Sequence, residues 1–474
     1  MKLGELAAAG RHPAVPLDVE LPDGGSLQVE QWLRILPGQR YVARARHAGR
    51  AVLAKLYVGA KARRHAARER EGVRLLREAE VPTPALLAEG DGEAGAWLLF
   101  EFIEQAEGLG TAWTRVEHQA PLSPAQERVL GRALAAIAQM HAKGLWQGDL
   151  HLDNLLWDGC QLWLIDGAAI EAEQVGQLLG AERAEENLAL CFAQLPGRFD
   201  DAVEPLLRHY RAADASSEIS PVRLRQRIVA ARRKRLEHYL KKLGRDCTAF
   251  HVRRDPGGLE AVQRDQAQRL AALLADPDAA IARGVSLKDG GSATVARVAI
   301  DDGWVVIKRY NIKGVAHWLK RFWRPTRAWH SWVEGHRLNF LGIASPRPLA
   351  VIERRWLGLR GRSYLITDYA PGEDIITRFG PYLDERPPEP EVEALRQLFD
   401  DLQRERFVHG DLKGTNLLWQ AGRWALIDLD AAGVCPGSRF AEAHARDRAR
   451  LLRNWPADSA LHRLLDSRLP RLER

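Results

Sequence analysis

A pattern of three polar residues occurs twice in this chain of 474 residues and limits its domain organisation more than any other feature. The pattern is D-x4-N-x11-D, and it comprises Asp149, Asn154 and Asp166 in the first copy and Asp411, Asn416 and Asp428 in the second. Corresponding residues are 262 positions apart in all three cases. Two copies in register, each ending in an apolar segment, indicate a duplicated domain.

The residue types in this pattern are suited to phosphoryl transfer. Magnesium bound to a nucleotide takes one or two oxygen ligands from the protein and the others from phosphates and water. We therefore predict that the asparagine and the second aspartate of each copy are metal ligands. The first aspartate of each copy, Asp149 or Asp411, is then the predicted catalytic group that accepts the proton of an attacking hydroxyl.

A lysine lies within an apolar segment before each copy of the pattern. Lys55 is in VLAKLY and Lys308 is in VVIKRY, and each needs an anion because a buried ammonium group is costly. A helical segment with the sequence Glu-Gly-x-Arg-Leu follows and contributes Glu71 in the first copy and Glu334 in the second. A glutamate that pairs with the lysine would direct it at phosphate oxygens. We predict Lys55–Glu71 and Lys308–Glu334 as nucleotide-binding pairs, with two solvated helix glutamates as the alternative.

An apolar segment that leads into a short linker comes next in both copies. The segments AWLLFEFI and YLITDYA each predict a buried strand followed by a hinge, at residues 101–103 and 368–370. A nucleotide-binding hinge of this kind contacts adenine through its backbone. His141, in the helix after the first hinge, is predicted to be a packed residue rather than a catalytic one.

Charge and composition narrow the range of partners. The formal net charge of +7 suits nucleic acid, an anionic membrane surface or a phosphorylated substrate. The chain has no zinc-finger, aromatic RNA-binding or basic-zipper pattern, which argues against nucleic acid. It also has no apolar run of about eighteen residues and no secretory signal, and its four cysteines are scattered. A cytoplasmic location is predicted, with peripheral attachment to the inner face of the cytoplasmic membrane as an option.

Two basic segments allow two interpretations each. Residues 222–243 form a helical pattern rich in arginine and lysine, which suits either a solvated helix face or docking on an anionic surface. Residues 311–332 place four tryptophans among basic residues, which suits either core packing or contact with a membrane headgroup zone or a sugar phosphate. The domain boundary is predicted just after the first segment, so that the domains are residues 1–245 and 246–474.

The two copies together resemble the bacterial lipopolysaccharide kinases, which comprise the core heptose kinases, the 3-deoxy-octulosonic acid kinases and the InaA-like proteins. The resemblance rests on Lys55, Glu71, QGDLHLDN (147–154) and LIDG (164–167), and on Lys308, Glu334, HGDLKGTN (409–416) and LIDLD (426–430). It implies an α+β fold with two tandem protein-kinase-like bilobal domains, each with a small antiparallel β-rich N-lobe and a helical C-lobe. It also implies that ATP and Mg²⁺ are used to phosphorylate a sugar of the lipopolysaccharide core or of a lipid-linked core intermediate.

Several motifs of protein kinases are replaced. Neither copy has a G-x-G-x-x-G before its lysine, and the second copy offers only Lys288–Ser292 there. The triplets Asp166-Gly167-Ala168 and Asp428-Leu429-Asp430 stand in place of D-F-G, and no A-P-E follows. A regulated activation segment and a peptide-binding platform are therefore not expected.

The two copies differ beside the catalytic aspartate. His409 is expected to brace the loop in the second copy. The first copy has Gln147 at that position, and its side-chain amide could brace the loop in the same way. Lys413 in the second copy brings a full positive charge to the transferring phosphoryl group, whereas the first copy has His151. We therefore predict Lys413 as a catalytic group and the second copy as the main catalytic centre, although both copies keep the full set of polar residues.

Other functions share these motifs. A Ser/Thr protein kinase and a small-molecule kinase of the aminoglycoside or choline type are alternatives within enzymes. A tandem pseudokinase that acts as a scaffold in envelope assembly is the alternative from another class. Transfer of phosphate from ATP to core oligosaccharide, peptides or amino alcohols would separate them.

Overall fold

A computed structural model describes residues 1–213, 218–301, 303–311, 326–356 and 359–472. The chain divides into two compact units, Met1–Arg233 and Lys234–Arg474, here called unit 1 and unit 2. The division falls within the helix α6 (Pro221–Lys242), upstream of residue 245.

Unit 1 begins with a six-stranded antiparallel sheet in which helix α1 (Ala62–Glu78) connects the fourth and fifth strands. The strands are β1 (Leu17–Glu20), β2 (Ser26–Leu36), β3 (Arg40–His47), β4 (Arg50–Tyr57), β5 (Leu86–Gly92) and β6 (Gly95–Glu101). Their order in the sheet is β1-β2-β3-β4-β6-β5. Small and apolar residues on one face of α1 pack against β4 and β6 in a core cluster that includes Tyr57, Ala66, Val73 and Phe100.

The second part of unit 1 is mainly helical. Its helices are α2 (Leu109–Thr114), α3 (Pro124–Ala142), α4 (Ala181–Phe192) and α5 (Val203–Ala213), followed by the start of α6. Short strands lie between α3 and α4 or just before α2, namely β7 (Glu107–Gly108), β8 (Leu145–Gln147), β9 (Leu155–Trp157), β10 (Leu162–Leu164) and β11 (Ile170–Ala172). Ser123 caps α3 by accepting a hydrogen bond from the Gln126 backbone, and Pro124 occupies the first turn.

Unit 2 begins with a seven-stranded antiparallel sheet of order β12-β13-β17-β18-β16-β15-β14. These strands are β12 (Phe250–Asp255), β13 (Gly258–Gln263), β14 (Val285–Gly290), β15 (Ala293–Ile300), β16 (Gly303–Tyr310), β17 (Pro348–Trp356) and β18 (Leu359–Asp368). The helices within or beside this sheet are α7 (Ala271–Ala275), α8 (Pro277–Arg283) and α9 (Arg327–Phe340). Helix α9 packs on β17 and β18 through Ala328 and Trp332.

The second part of unit 2 is also mainly helical. It contains α10 (Ile375–Phe379), α11 (Glu389–Arg404), α12 (Arg439–Leu452) and α13 (Ala460–Arg468). Its short strands are β19 (Phe407–Val408), β20 (Leu417–Gln420), β21 (Arg423–Leu426) and β22 (Gly433–Val434). Mixed helix and strand content of this kind confirms the α+β class, and no described helix combines the length and the apolar composition needed to cross a membrane.

The strand registers of the two units coincide around the lysines. In unit 1, β3 and β4 place Val42 opposite Lys55. In unit 2, β15 and β16 place Val295 opposite Lys308. The equivalence inferred from spacing alone is therefore also an equivalence of cross-strand pairing.

The basic segment 222–243 is tied to unit 1 by ion pairs at its first half. Arg227 lies 2.9 Å from Glu182, and both terminal nitrogens of Arg232 donate to Asp200, at 3.0 and 2.6 Å. Leu224 and Ile228 on the same helix are buried. Arg227 and Arg232 are therefore paired within unit 1, and docking of the helix on an anionic surface stays a prediction.

The tryptophan-rich segment 311–332 is described only in part. Trp318 and Trp323 lie outside the described residues. Trp332 is fully buried, with its ring centroid 4.1 Å from that of His336, and Trp329 is half-buried. Core packing is therefore the correct interpretation for Trp332.

Candidate active site

Strand lysine Lys55 of unit 1 meets a carboxylate on helix α1, and that carboxylate belongs to Glu69. Glu69 is only 1% exposed and contacts Lys55 Nζ directly. Its oxygens also accept hydrogen bonds from the backbone nitrogens of Gly167, at 3.0 Å, and Ala168, at 3.3 Å. Glu69 therefore ties the lysine, the helix and the loop after Asp166 together.

The predicted pair Lys55–Glu71 was wrong. The Glu71 side chain is exposed, and its oxygens accept hydrogen bonds from Arg74 on the same helix, at 2.9 and 2.7 Å. Each helix residue is rotated about 100° from the previous one, so residues two apart point to nearly opposite sides. Glu69 faces the sheet for that reason, and Glu71 faces solvent.

Helix α1 lies against the Asp166 loop at Gly72. A Cβ atom at this position would lie 1.8 Å from the carbonyl oxygen of Gly167. Because no side chain fits in that space, Gly72 allows the helix to approach closely enough for Glu69 to reach the loop.

The lysine of unit 2 is held by two carboxylates of one loop. Lys308 Nζ lies 2.5 Å from Asp428 Oδ1 and 2.8 Å from Asp430 Oδ1. Asp430 also accepts hydrogen bonds from Tyr310, at 2.7 Å, and from Ser331 of helix α9, at 3.0 Å. This network was not anticipated, although the third residue of Asp428-Leu429-Asp430 is visible in the sequence.

The predicted pair Lys308–Glu334 was also wrong. Glu334 is buried, but it accepts a hydrogen bond from Arg337 Nε at 2.7 Å. The helix position that corresponds to Glu69 is occupied by Trp332, whose indole cannot accept from an ammonium group. Asp430 supplies the missing charge, at the position where unit 1 has Ala168.

The predicted metal ligands adopt the same local geometry in both units. Asn154 Nδ2 donates to the Asp149 carbonyl at 2.8 Å, and Asn416 Nδ2 donates to the Asp411 carbonyl at 2.9 Å. Each asparagine thereby keeps its side-chain oxygen free of that bond, as a cation ligand requires. The asparagines are buried in both units.

The aspartates that follow, Asp166 and Asp428, lie in the left-handed region, with φ of 67° and 61°. Burial alone would raise the pKa of Asp166, but the charges of Lys55 and Arg40 outweigh it and hold the pKa below its usual range. Burial opposes ionisation of Asp428 in the same way, and Lys308 lowers its pKa. Both carboxylates are therefore ionised at neutral pH.

The bracing residues differ in type but reach equivalent atoms. His409 Nε2 donates to the carbonyl of Ile427 at 2.9 Å. Gln147 Nε2 donates to the carbonyls of Ile165, at 3.0 Å, and Asp166, at 3.1 Å. The glutamine amide thus occupies the role that the histidine has in the other unit.

The surroundings of the two predicted catalytic aspartates differ more between the units than the bracing residues do. The Asp149 side chain is 78% exposed, and a ring nitrogen of His151 lies 3.8 Å from it. The Asp411 side chain is 41% exposed and lies 2.5 Å from Arg450 Nη1 and 3.8 Å from Lys413 Nζ. Arg450 is on α12, 39 residues away in the chain, and no motif pointed to it.

A cavity of about 580 Å³ in unit 2 brings most of its predicted site residues together. Those on its wall are Lys308, Asp411, Lys413, Asn416, Asp428 and the hinge residues Asp368, Tyr369 and Ala370. Apolar side chains such as Val295, Leu418 and Leu426 line it too, as suits a heterocyclic base. Glu334 is the one predicted site residue of unit 2 that does not line this cavity.

The donor atoms in this cavity fit nucleotide-bound magnesium. Asn416 and Asp428 offer an amide oxygen and a carboxylate oxygen, which are hard ligands suited to Mg²⁺. Among the described residues, no group of three or more His, Cys, Asp or Glu could hold a metal by itself. A magnesium ion bound here would therefore share its coordination with phosphates and water.

His141 is a packed residue, as predicted. It is fully buried, and its ring nitrogens lie 2.9 Å from Tyr210 Oη and 3.0 Å from Asn187 Oδ1. Neither contact involves a predicted site residue.

Comparison with known proteins identifies a family model that covers part of unit 1. Residues 44–171 match the model of the lipopolysaccharide kinase (Kdo/WaaP) family. That range includes Lys55, Glu69, Asp149, Asn154 and Asp166 of unit 1. No curated protein matches the chain. The solved structure titled "WaaP in complex with acyl carrier protein" is similar over 44% of this chain and 86% of that chain, with 20% identity and a TM-score of 0.32. The predicted resemblance to lipopolysaccharide kinases is thus confirmed over residues 44–171, and the chain is a kinase.

Proposed function

We propose that the chain transfers the γ-phosphoryl group of ATP to a sugar hydroxyl of the lipopolysaccharide inner core. The two units are tandem protein-kinase-like domains, and unit 2 is the main catalytic centre. The observation that carries this proposal is the unit 2 cavity, which is lined by hinge residues, the strand lysine, two candidate metal ligands and the candidate catalytic aspartate. The family match supports the class of acceptor.

The residues of unit 2 have separate tasks in this reaction. Asp411 orients the acceptor hydroxyl and takes its proton as the hydroxyl oxygen bonds to the γ-phosphorus and the bond to the ADP oxygen breaks. Lys308 contacts phosphate oxygens, and Asp430 keeps its ammonium group in place. Lys413 adds positive charge beside the transferring group. Magnesium, when bound by Asn416 and Asp428, neutralises charge on the phosphates.

The surroundings of Asp411 are basic. Arg450 and Lys413 both lie within 4 Å of the Asp411 carboxylate and are themselves partly exposed. Such a surface suits an acceptor that carries anionic groups, as core oligosaccharide does, better than a neutral alcohol. Attachment to the inner face of the cytoplasmic membrane, where a lipid-linked core intermediate would be met, remains a prediction.

Replacing the two aspartates separately tests the assignment of the centre. We expect Asp411→Asn to lower kcat for transfer from ATP to purified core oligosaccharide by about 10²–10⁴, the usual contribution of a general base. Asp149→Asn is the matched control and should retain most of the activity. Circular dichroism should show both variants folded. The opposite pattern would assign the reaction to unit 1, and full activity in both variants and in their combination would refute the mechanism.

The acceptor is tested by competition among substrate classes. Core oligosaccharide should be labelled by radioactive ATP in a reaction that Asp411→Asn abolishes, whereas a mixed peptide library and amino alcohols should not. Labelling of peptides alone would favour a protein kinase. Nucleotide binding without labelling of any class would favour the scaffold.

A further inference from the structure

Unit 1 contains a second cation beside its predicted metal ligand. Arg40 Nη1 lies 3.7 Å from Asp166 Oδ1, the same oxygen that lies 3.5 Å from Lys55 Nζ. Arg40 is the first residue of β3 and pairs across the sheet with Tyr57. The corresponding residue of unit 2 pairs with Tyr310 and is Ala293, a neutral residue on the cavity wall. A guanidinium group at this strand position therefore occurs in unit 1 and not in unit 2, where Arg327 of α9 lies on the cavity wall instead, 3.8 Å from Asp430 Oδ2.

This charge arrangement does not fit a divalent cation at Asp166. The carboxylate already has two cationic neighbours, and the charge of Arg34 adds to their effect on its pKa. A divalent ion bound to the same carboxylate would meet repulsion from Arg40 in a site that is largely shielded from water. Asp428 of unit 2, in contrast, has one cation within 4 Å among the described residues, Lys308.

The guanidinium group of Arg40 is suited to binding phosphate. A guanidinium group binds phosphate oxygens through two parallel hydrogen bonds and stays charged at any physiological pH. Arg40 Nε is buried and has no hydrogen-bond partner among the described residues, so the group has donor capacity to spare. Lys55, held by Glu69, provides a second cation on the same side of Asp166.

We propose that unit 1 binds the polyphosphate of a nucleoside di- or triphosphate through Arg40 and Lys55 without requiring a divalent metal. Arg40 supplies the positive charge that magnesium supplies in unit 2. Asp166 then acts as the anion that keeps both cations in place when the site is empty. This site is additional to the phosphotransfer centre of unit 2, and its existence does not depend on the acceptor that unit 2 uses.

Equilibrium dialysis of radiolabelled ATP against the full chain tests this site, with EDTA or with Mg²⁺. The measurements use Lys308→Met as the background, because that change weakens phosphate binding in unit 2. We expect ATP to bind in EDTA with an affinity that Mg²⁺ hardly changes. Arg40→Ala should weaken binding in EDTA by about tenfold or more, since a hydrogen-bonded charge contact contributes about 1.5–3 kcal/mol. Arg46→Ala is the matched control, because Arg46 is on the same strand and pairs with Glu30.

Magnesium dependence separates a lost contact from a misfolded site. Without the guanidinium group, the Asp166 carboxylate becomes free to bind a cation, so Mg²⁺ should restore ATP binding in Arg40→Ala. A misfolded variant would not recover. The proposal is overturned if the background protein binds no ATP in EDTA, or if Arg40→Ala leaves metal-free binding unchanged. Loss that Mg²⁺ cannot restore, in a variant that circular dichroism shows to be folded, also overturns it.

Discussion

The two units anchor equivalent lysines with carboxylates from different parts of the chain. Unit 1 uses Glu69 of helix α1, and its loop after Asp166 is neutral. Unit 2 uses Asp430 of that loop, and its helix has Trp332 in place of the glutamate. The anchoring carboxylate thus lies on the helix in unit 1 and on the loop in unit 2, and in both units a negative charge lies beside the lysine. The physical requirement is a fixed ammonium group, and either element can satisfy it.

The difference also affects how the helix is attached. Glu69 joins α1 to both the strand lysine and the loop, so the three elements share one buried ion. In unit 2 the helix contributes the hydroxyl of Ser331 and, at 3.8 Å, the partly exposed guanidinium group of Arg327 to the network around Asp430. Helix α9 is held instead by packing of Trp332 and His336. The helix position should therefore depend on an ion pair in unit 1 and on aromatic packing in unit 2.

Removal of the anchoring carboxylates gives the largest expected effect on stability. Glu69→Gln should lower the free energy of unfolding of unit 1 by about 3 kcal/mol, because it leaves the buried Lys55 ammonium group without its nearest anion. Asp430→Asn should cost less, about 1–2 kcal/mol, since Asp430 is more exposed and Asp428 still pairs with Lys308. Urea denaturation followed separately for the two units measures both values.

Glu71→Gln is the control for this comparison. The Glu71 side chain is exposed and, within the described part of the chain, pairs only with Arg74, so the free energy of unfolding should change by less than about 0.5 kcal/mol. An effect as large as that of Glu69→Gln would mean that the exposed glutamate, not the buried one, anchors the lysine.

Acid should lower the free energy of unfolding of unit 2 through His336. Unit 1 lacks this effect because it has Val73 at the corresponding helix position. Burial lowers the pKa of His336 from 6.5 to about 3. The unfolded chain therefore takes up a proton below pH 6.5 that the folded unit does not, and stability is lost as the pH falls from 6.5 towards 3. His336 alone should make the free energy of unfolding fall by up to about 1.4 kcal/mol for each pH unit in this range.

The measurement is the free energy of unfolding of unit 2 between pH 7 and pH 5. His336→Gln should remove this part of the slope while leaving an amide near Tyr239, whose hydroxyl contacts the ring at 2.9 Å. An unchanged slope in the variant would show that His336 is not the group responsible.

His409→Gln gives the smallest expected effect, because it copies the bracing residue of unit 1. The amide can reach the Ile427 carbonyl as Gln147 reaches Ile165, but the bond from the Asp411 backbone to His409 Nδ1, at 3.3 Å, is lost. One weak hydrogen bond corresponds to about 1 kcal/mol, so kcat should fall by less than about fivefold. A fall of a hundredfold or more would show that the two braces are not equivalent.

Sequence reasoning found the parts of each site that have fixed spacing along the chain. The strand lysines, the asparagines and the aspartates follow one another through short turns, so their relative positions are set locally. The anchoring carboxylates were misassigned because a Glu-Gly-x-Arg-Leu motif does not reveal which helix face meets the sheet. Arg40 and Arg450 were missed because only tertiary packing brings them to Asp166 and Asp411.

The left-handed backbone of Asp166 and Asp428 bears on how the two units can change over time. A side chain in that conformation costs about 1 kcal/mol that glycine would not. Replacing either aspartate by glycine would remove that backbone cost but leave the nearby lysine with one anion fewer. A copy with no task would be free to lose its aspartate once its lysine was lost as well. Both aspartates remain with both lysines, so neither unit has followed that route.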